Sequence, residues 1–304
     1  MNLIKPSFQI IEQGFTYQDI CKQIEIAGRT CYKSEDKITE NSASDFVNRM
    51  IKSGHNAMLE HGTVYLFIPY DSSQEGILYI WDEVTERNCD PNVIKYDNNA
   101  YSKVCYDENN NAYITTNYRV IKENHWDWDL QYICKPTEYH EKRITVRFIT
   151  DQGILREFTR HRVFSFAVES TRYCNYSKDK FKHEITYIIP TWCPGIKEGD
   201  SFYNGLSNQD IKTPQEIMFL RSLQYDEETY FNLLEWGWTP QEARNVLPLA
   251  TKCEIIMTGF VEDWKHFFDL RVLGTTGVPH PQAKELAEPL KQEFIKHKYL
   301  NEIF

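Results

Sequence analysis

Short segments of two different periodicities alternate along this chain, and this mixture constrains its fold more than any other feature. Residues 63–69 and 144–149 are rich in β-branched and aromatic side chains, which is typical of strands. Residues 17–32 instead carry apolar side chains at helical spacing, and residues 44–53 repeat that pattern with Gly54 as a left-handed cap. The patterning therefore predicts the α+β class.

The C-terminal half contains further helices with clear start signals. Thr213 and Thr239 are each followed by Pro-Gln-Glu, a capping box with proline in the first turn. These boxes predict a long helix that ends near Gly237 and a shorter one that ends before Pro248. The other predicted elements are a helical pattern from Gly153 into Arg160–Arg162, a strand over residues 251–260, a helix capped by Asp263 and running through Val272, and a helix over residues 281–298.

Residues 71–142 differ in composition from their surroundings. They are rich in Asp, Asn, Tyr and Trp, with one convincing strand at residues 112–116 and otherwise turn-like composition. Nothing in this composition specifies a ligand. We interpret the stretch as an insertion rather than a domain and call it the insertion segment.

Charge and cysteine usage exclude several classes of protein. The chain has 34 basic and 44 acidic side chains, and a net charge of -10 repels a phosphate backbone. The N-terminus lacks a basic segment followed by an apolar run, and no stretch approaches the roughly 20 apolar residues of a membrane span. The eight cysteines are scattered without the spacing of a metal site. We expect a cytoplasmic protein with reduced, mostly buried thiols, no metal, and neither nucleic acid nor membrane as partner.

Several arginines lie close together in this acidic chain. They are Arg156, Arg160, Arg162 and Arg172. A guanidinium group binds phosphate oxygens bidentately, so the cluster indicates an anionic ligand. The alternative is a solvated helix on which these arginines pair with Asp151, Glu157 and Glu169.

The order of residue types favours the ligand. Arg160-His161-Arg162 is followed by seven residues, then by Ser170, with Arg172 two positions further on. This pattern resembles the signature of flavin-dependent thymidylate synthases. His55 with Glu60-His61 resembles that family's N-terminal histidine loop, and residues 243–248 and 267–271 resemble two further family segments. The resemblance covers most of the chain outside the insertion segment and implies a single domain over residues 1–304.

The resemblance implies a fold and a reaction. The fold is a mixed, largely antiparallel sheet with flanking helices, assembled as a homotetramer with active sites shared between subunits. The reaction converts deoxyuridine monophosphate (dUMP) to thymidine monophosphate (dTMP). Methylenetetrahydrofolate donates the carbon, and FAD reduced by NADPH supplies the hydride.

The resemblance also implies roles for individual residues. Arg271 is the expected catalytic residue, because an arginine beside the uracil ring can stabilise negative charge that develops there. The FAD contacts it implies are His61, Thr63, Arg160, His161, Arg162 and His266. The dUMP contacts it implies are Glu157, Arg160, Ser170, Thr171, Arg172, Arg244 and Arg271.

The sequence also departs from the family pattern. Val168 lies where many members carry an acidic or amide side chain, and Glu169 replaces it only if the loop shifts. Phe260 and Glu262 lie where relatives often carry polar or basic flavin neighbours. These departures leave open a related enzyme that modifies a pyrimidine nucleotide differently. A second alternative is a nucleic-acid-binding module that uses the arginines and the many aromatic residues.

Overall fold

The structure is a computed structural model that describes residues 1–70, 80–82, 87–89, 91–201 and 213–300. The insertion segment therefore lies partly outside the described residues. Within the described parts of the chain, no helix combines the length and the apolar character that a membrane span requires. Cys21, Cys31, Cys105, Cys134, Cys174, Cys193 and Cys253 are free thiols, and four of these seven are buried.

The strands pair mostly in antiparallel fashion. In chain order they are β1 (Asn2–Ile4), β2 (Ser7–Ile11), β3 (Thr63–Ile68), β4 (Ile80–Asp82), β5 (Arg87–Cys89), β6 (Lys103–Tyr106), β7 (Ala112–Asn117), β8 (Arg143–Asp151), β9 (Ser165–Val168), β10 (Thr186–Ile188) and β11 (Lys252–Phe260). A central antiparallel sheet has the order β2-β8-β11-β9, and a second one has the order β3-β7-β6. Strands β4 and β5 form an antiparallel pair, and β1 pairs with β10 in parallel.

Helices of very different lengths flank these sheets. In chain order they are α1 (Tyr17–Tyr32), α2 (Ser42–Lys52), α3 (Pro91–Asp97), α4 (Tyr118–Glu123), α5 (Gln152–Phe158), α6 (Pro214–Glu235), α7 (Pro240–Ala243), α8 (Val261–Phe268) and α9 (Pro281–Lys296). A π-helical turn, Asp269–Leu273, continues α8. Short 3-10 helices span Glu35–Lys37, Asn56–His61, Asp127–Tyr132, Asp179–Phe181 and Arg244–Val246. The predicted α+β class, with a mixed and largely antiparallel arrangement, is confirmed.

The central sheet is covered on both faces. On one face, Phe148 of β8 packs against aromatic residues of α5 and α8, including Phe158 and Trp264. The Trp264 indole donates a hydrogen bond to the Ile144 carbonyl at 3.1 Å, which ties α8 to the sheet. On the other face, α1 packs Ala27 against the sheet. This packing fixes α5 and the π-helical turn beside each other.

Local sequence signals predicted many element positions correctly. Helix α1 has the predicted bounds, and Gly54 after α2 has a φ of +72°. Both predicted capping boxes form at Thr213 and Thr239. The strand and helix expected near the C-terminus are β11 and α9.

Three local predictions were wrong. Residues 56–61 form a 3-10 helix rather than a loop. Helix α5 ends at Phe158 and does not continue through Arg160–Arg162, because the chain turns there to pack the His161 ring against Phe267. Asp263 is not the cap residue of α8. It lies in the first turn, where its carboxylate accepts the Phe260 amide hydrogen at 2.9 Å.

The insertion segment is more regular than its composition indicates. Besides the predicted strand β7, its described part contains β6 and the helices α3 and α4. Its polar residues were misread as turn signals, since Asn117 caps α4 by accepting the Val120 amide hydrogen at 3.1 Å. Tyr96 and Tyr118 are buried with α1 and β3 in one apolar cluster. The segment thus shares a core with the N-terminal part of the chain.

Candidate active site

The structure brings three of the predicted site residues together around one guanidinium group. Arg271 Nη1 donates to the Glu157 carboxylate at 2.7 Å, and Nη2 donates to the Glu157 carbonyl at 2.7 Å. Arg271 Nε donates to His161 Nε2 at 3.0 Å. The arginine comes from the π-helical turn, a feature that is frequent at functional sites. Its side chain is 12% exposed, so the guanidinium is fixed yet reachable from outside.

His161 is neutral in this arrangement. Burial, followed by the charge of Arg271, lowers the pKa of His161 to about 4. Because Nε2 accepts a hydrogen bond from a guanidinium, the ring proton lies on Nδ1. The His266 ring lies close by, at 6.2 Å between ring centroids. His161 and His266, both predicted as flavin contacts, are therefore neighbours.

A second group contains hydroxyl and guanidinium side chains from distant parts of the chain. Arg244 Nη1 donates to Thr171 Oγ1 at 3.2 Å, and the Ser170 hydroxyl accepts the Arg172 amide hydrogen at 3.3 Å. Arg172 Nε donates to Gln241 Oε1 at 3.0 Å. Gln241 was missed, because its Thr-Pro-Gln-Glu segment was interpreted only as a helix start. The group is exposed and rich in hydrogen-bond donors.

The alternative in which the clustered arginines are neutralised locally does not hold. Among the described residues, Arg156, Arg160, Arg162 and Arg172 form no ion pair with a carboxylate. The three carboxylates proposed as their partners are used elsewhere. Asp151 accepts the Ile154 amide hydrogen and Gln282, Glu157 pairs with Arg271, and Glu169 pairs with Lys252. The arginines therefore remain available for an anionic ligand.

Buried ion pairs lie directly beneath the segment that carries Ser170. The Glu169 carboxylate, which is almost fully buried, accepts Lys252 Nζ at 2.7 Å. Glu254 accepts Lys252 at 2.6 Å and Lys33 at 2.8 Å. These cations outweigh burial and lower the pKa of Glu254 to about 2. The Ser170 amide donates to the Cys31 carbonyl at 3.0 Å, so the base of this segment is fixed.

The residues that depart from the family pattern, and Glu169 beside them, have defined surroundings in the structure. Val168 packs against the apolar core of the central sheet. Glu169 does not replace it, because its carboxylate points inward to Lys252. The Glu262 side chain is 70% exposed and pairs with Lys265 at 2.8 Å. Phe260 is buried at the end of β11.

Arg162, the next residue after His161, lines a cleft of about 570 Å³. Phe260 and Arg143 also line this cleft. Arg143 Nη1 donates to Thr63 Oγ1 at 3.3 Å, which places Thr63 next to it. A cleft of this size falls within the roughly 300–1,000 Å³ of cofactor and ligand sites.

His61 is fully buried. Its Nδ1 lies 2.8 Å from Thr258 Oγ1, and its Nε2 has no hydrogen-bond partner among the described residues. Burial, together with the charge of Arg143, lowers the pKa of His61 to about 3, so the ring is neutral. His55, the other histidine of the predicted loop, lines a surface cavity instead. The flavin contact assigned to His61 stays a prediction.

The side chains that line the cleft are compatible with a ligand that carries phosphate groups. Arg162 has no carboxylate partner among the described residues, and it lines a cleft large enough for part of a dinucleotide. In the described parts of the chain, no three His, Cys, Asp or Glu side chains converge on a point where a metal ion could be held. Guanidinium donors are suited to phosphate oxygens rather than to cations.

Comparison with known proteins agrees with the resemblance in the sequence. The family model "Thymidylate synthase complementing protein" matches residues 95–297, beginning inside the insertion segment. A probable flavin-dependent thymidylate synthase of Paramecium bursaria Chlorella virus 1 is 30% identical over 156 residues, covering 50% of this chain and 66% of that protein. The flavin-dependent thymidylate synthase of Haloarcula marismortui is 28% identical over 45% of this chain and 56% of that protein.

Two further proteins are similar to this chain. The flavin-dependent thymidylate synthase of Synechocystis sp. is 26% identical over 58% of this chain and 73% of that protein. A UMP/dUMP methylase from Streptomyces cacaoi, solved with 5-Br dUMP, aligns with 97% of this chain and 93% of that chain at 15% identity. Its TM-score is 0.42, and we draw no conclusion from it. The match over residues 95–297, together with these relatives, confirms that the chain belongs to the thymidylate synthase complementing protein family, that of the flavin-dependent thymidylate synthases.

Proposed function

We propose that the protein is an FAD-dependent thymidylate synthase that converts dUMP to dTMP with methylenetetrahydrofolate and NADPH. One observation carries this proposal. Hydroxyl groups and arginines without carboxylate partners among the described residues meet at Ser170, Thr171, Arg172 and Arg244. Such a set suits a phosphate monoester, because each guanidinium presents parallel donors to two oxygens. Membership of the family supplies the reaction.

Arg271 is the residue we assign to activation of the substrate. In the proposed reaction the methylene carbon bonds to C5 of the uracil and the C5 proton leaves. A hydride then completes the methyl group, and the folate departs as tetrahydrofolate. FAD, when bound and reduced, supplies that hydride. Arg271 stabilises negative charge on the ring, and Glu157 and neutral His161 hold its guanidinium for this purpose.

The proposed homotetramer, with sites shared between subunits, rests on the family resemblance. His161 and His266 lie beside Arg271, whereas Arg162 lines the cleft near Thr63. Arg160 directly precedes His161 in the chain and has no ion-pair partner among the described residues. We propose that subunits share their sites, so that residues from different subunits contact one cofactor. Light scattering of the purified protein tests this assembly directly, and a monomer at micromolar concentration would contradict it.

A related nucleotide-modifying enzyme remains the second candidate, because Val168 and Phe260 place apolar side chains where relatives often have polar ones. Product analysis separates the two functions. The protein is incubated with dUMP, FAD, NADPH and methylenetetrahydrofolate, and the nucleotide product is identified by mass spectrometry. Formation of dTMP supports thymidylate synthesis, and a hydroxymethylated nucleotide supports the second candidate. An unchanged nucleotide, from protein that binds both FAD and dUMP, would contradict both.

A further inference from the structure

The cleft that contains Arg162 has a wall contributed by the insertion segment. Tyr101, Lys103 and Arg119 of this segment line the cleft together with Arg162 and Phe260. Tyr101 is 68% exposed, so its ring is available to a molecule in the cleft. The composition of the insertion segment specifies no ligand. In the structure, this segment nevertheless lines the cleft in which the family resemblance places the flavin.

The cationic side chains that line this cleft differ in whether they form an ion pair with a carboxylate. Arg119 is neutralised, because it pairs with Glu60 at 2.6 Å and with Glu123 at 2.9 Å. Lys103 and Arg162, by contrast, form no ion pair with any carboxylate in the part of the chain that the structure describes. The chain as a whole has a net charge of -10, so two cations without an ion pair in one cleft indicate that this cleft binds an anion.

Arg143, which also lines the cleft, is a partly buried cation that forms no ion pair with a carboxylate among the described residues. Its guanidinium donates to the Glu60 carbonyl at 3.0 Å, to Thr63 Oγ1 at 3.3 Å and to Ser165 Oγ at 3.5 Å. Burial lowers the pKa of Arg143 to about 10. Glu60 and Asp263, which also line the cleft, act on Arg143 through longer-range electrostatic attraction rather than through an ion pair. An anion bound in the cleft would add a direct partner for its guanidinium.

Phe260 lies close to two of these cations. The Arg143 guanidinium is 5.6 Å and Lys103 Nζ is 5.9 Å from the centre of its ring. Both cations thus lie near the face of one aromatic ring, Arg143 partly buried and Lys103 exposed to a ligand in the cleft. The apolar residue at position 260, a departure from the family pattern, helps to position the positive charges.

We propose that the insertion segment completes the flavin site, with Lys103 joining Arg143 and Arg162 in a subsite for the diphosphate of FAD and Tyr101 covering it. This inference rests on the proposed function, because it takes Arg162 to be a flavin contact. A diphosphate needs several cationic donors at short range, which these residues provide from three separate parts of the chain. The insertion segment then determines how tightly this chain holds its cofactor.

The test is a titration of cofactor-free protein with FAD, followed by quenching of flavin fluorescence. Lys103→Met removes an exposed charge that has no ion pair among the described residues, so the variant should fold normally. Lys22→Met, on the exposed face of α1, is the matched control. We expect Lys103→Met to raise the Kd for FAD about tenfold, to reduce its salt dependence, and to leave the Kd for dUMP unchanged. Lys22→Met should behave like the wild type.

Three results would overturn the inference in distinguishable ways. If Arg162→Met weakens FAD binding and Lys103→Met does not, the flavin cleft is correct and the role of the insertion segment is wrong. If Lys103→Met weakens binding of NADPH alone, the subsite belongs to the reductant. If the wild-type protein binds no FAD at all, the proposed function fails together with the inference.

Discussion

Replacement of Arg271 by alanine separates a catalytic role from a structural one. The side chain makes three hydrogen bonds, two to Glu157 and one to His161. Its removal leaves the Glu157 carboxylate, which is 35% exposed and can be hydrated. We therefore expect the free energy of unfolding to fall by only about 1–3 kcal/mol.

The catalytic effect should be much larger. A donor that stabilises charge only in the transition state contributes roughly 10²–10³ to kcat. Arg29→Ala is a control for stability, because Arg29 is 11% exposed but pairs at 2.9 Å with Glu25, which is only 1% exposed, so this variant should lose more stability than Arg271→Ala. The assay compares kcat for dTMP formation with unfolding in urea for both variants. We expect the larger loss of stability in Arg29→Ala and a large loss of kcat in Arg271→Ala alone. Equal kcat in the two variants would refute our reasoning.

Three further predictions concern other parts of the site. Lys252→Met leaves Glu169 and Glu254 without a shared partner, so the free energy of unfolding in urea should fall by about 3–5 kcal/mol. Unfolded histidine binds a proton below pH 6.5, whereas folded His161 binds one only near pH 4. Wild-type stability should therefore decline by up to about 3 kcal/mol as pH falls through that window, and His161→Asn should lack this component. Arg244→Lys loses the bidentate fork, so the KM for dUMP should rise about tenfold in steady-state assays.

Each of these predictions has a result that contradicts it. An unfolding free energy within 0.5 kcal/mol of wild type, roughly the effect of a surface substitution, would show that the Lys252 pairs do not stabilise the segment before Ser170. The same acid-induced loss in wild type and His161→Asn would assign the titration to other groups. A similar KM change in Arg221→Lys, at an exposed position on α6, would make the Arg244 effect nonspecific.

Much of the fold could be predicted because its signals are local. The capping boxes at Thr213 and Thr239 contain their own hydrogen-bond partners, so four residues suffice to define each helix start. Strand β8 was predicted because a short run rich in β-branched residues favours a strand over a helix. The end of α5 was not predictable, since it depends on the His161 ring packing against Phe267, more than 100 positions further along the chain.

The site was predictable in its residue types but not in its contacts. The cluster of arginines predicted an anionic ligand, and the family resemblance predicted Arg271 as the catalytic residue. Neither indicated that Glu157 and His161 would hold Arg271, because α5 and the π-helical turn meet only in the folded chain. Polar residues of the insertion segment were read as turn formers. In the structure, Lys103 instead lines the cleft that contains Arg162.

The most direct test of the proposed function is release of tritium from dUMP labelled at C5. The purified protein is assayed with FAD, NADPH and methylenetetrahydrofolate, and each component is omitted in turn. We predict release that requires both flavin and folate, with dTMP as the product. Absence of release from protein that has bound FAD and dUMP would contradict the account.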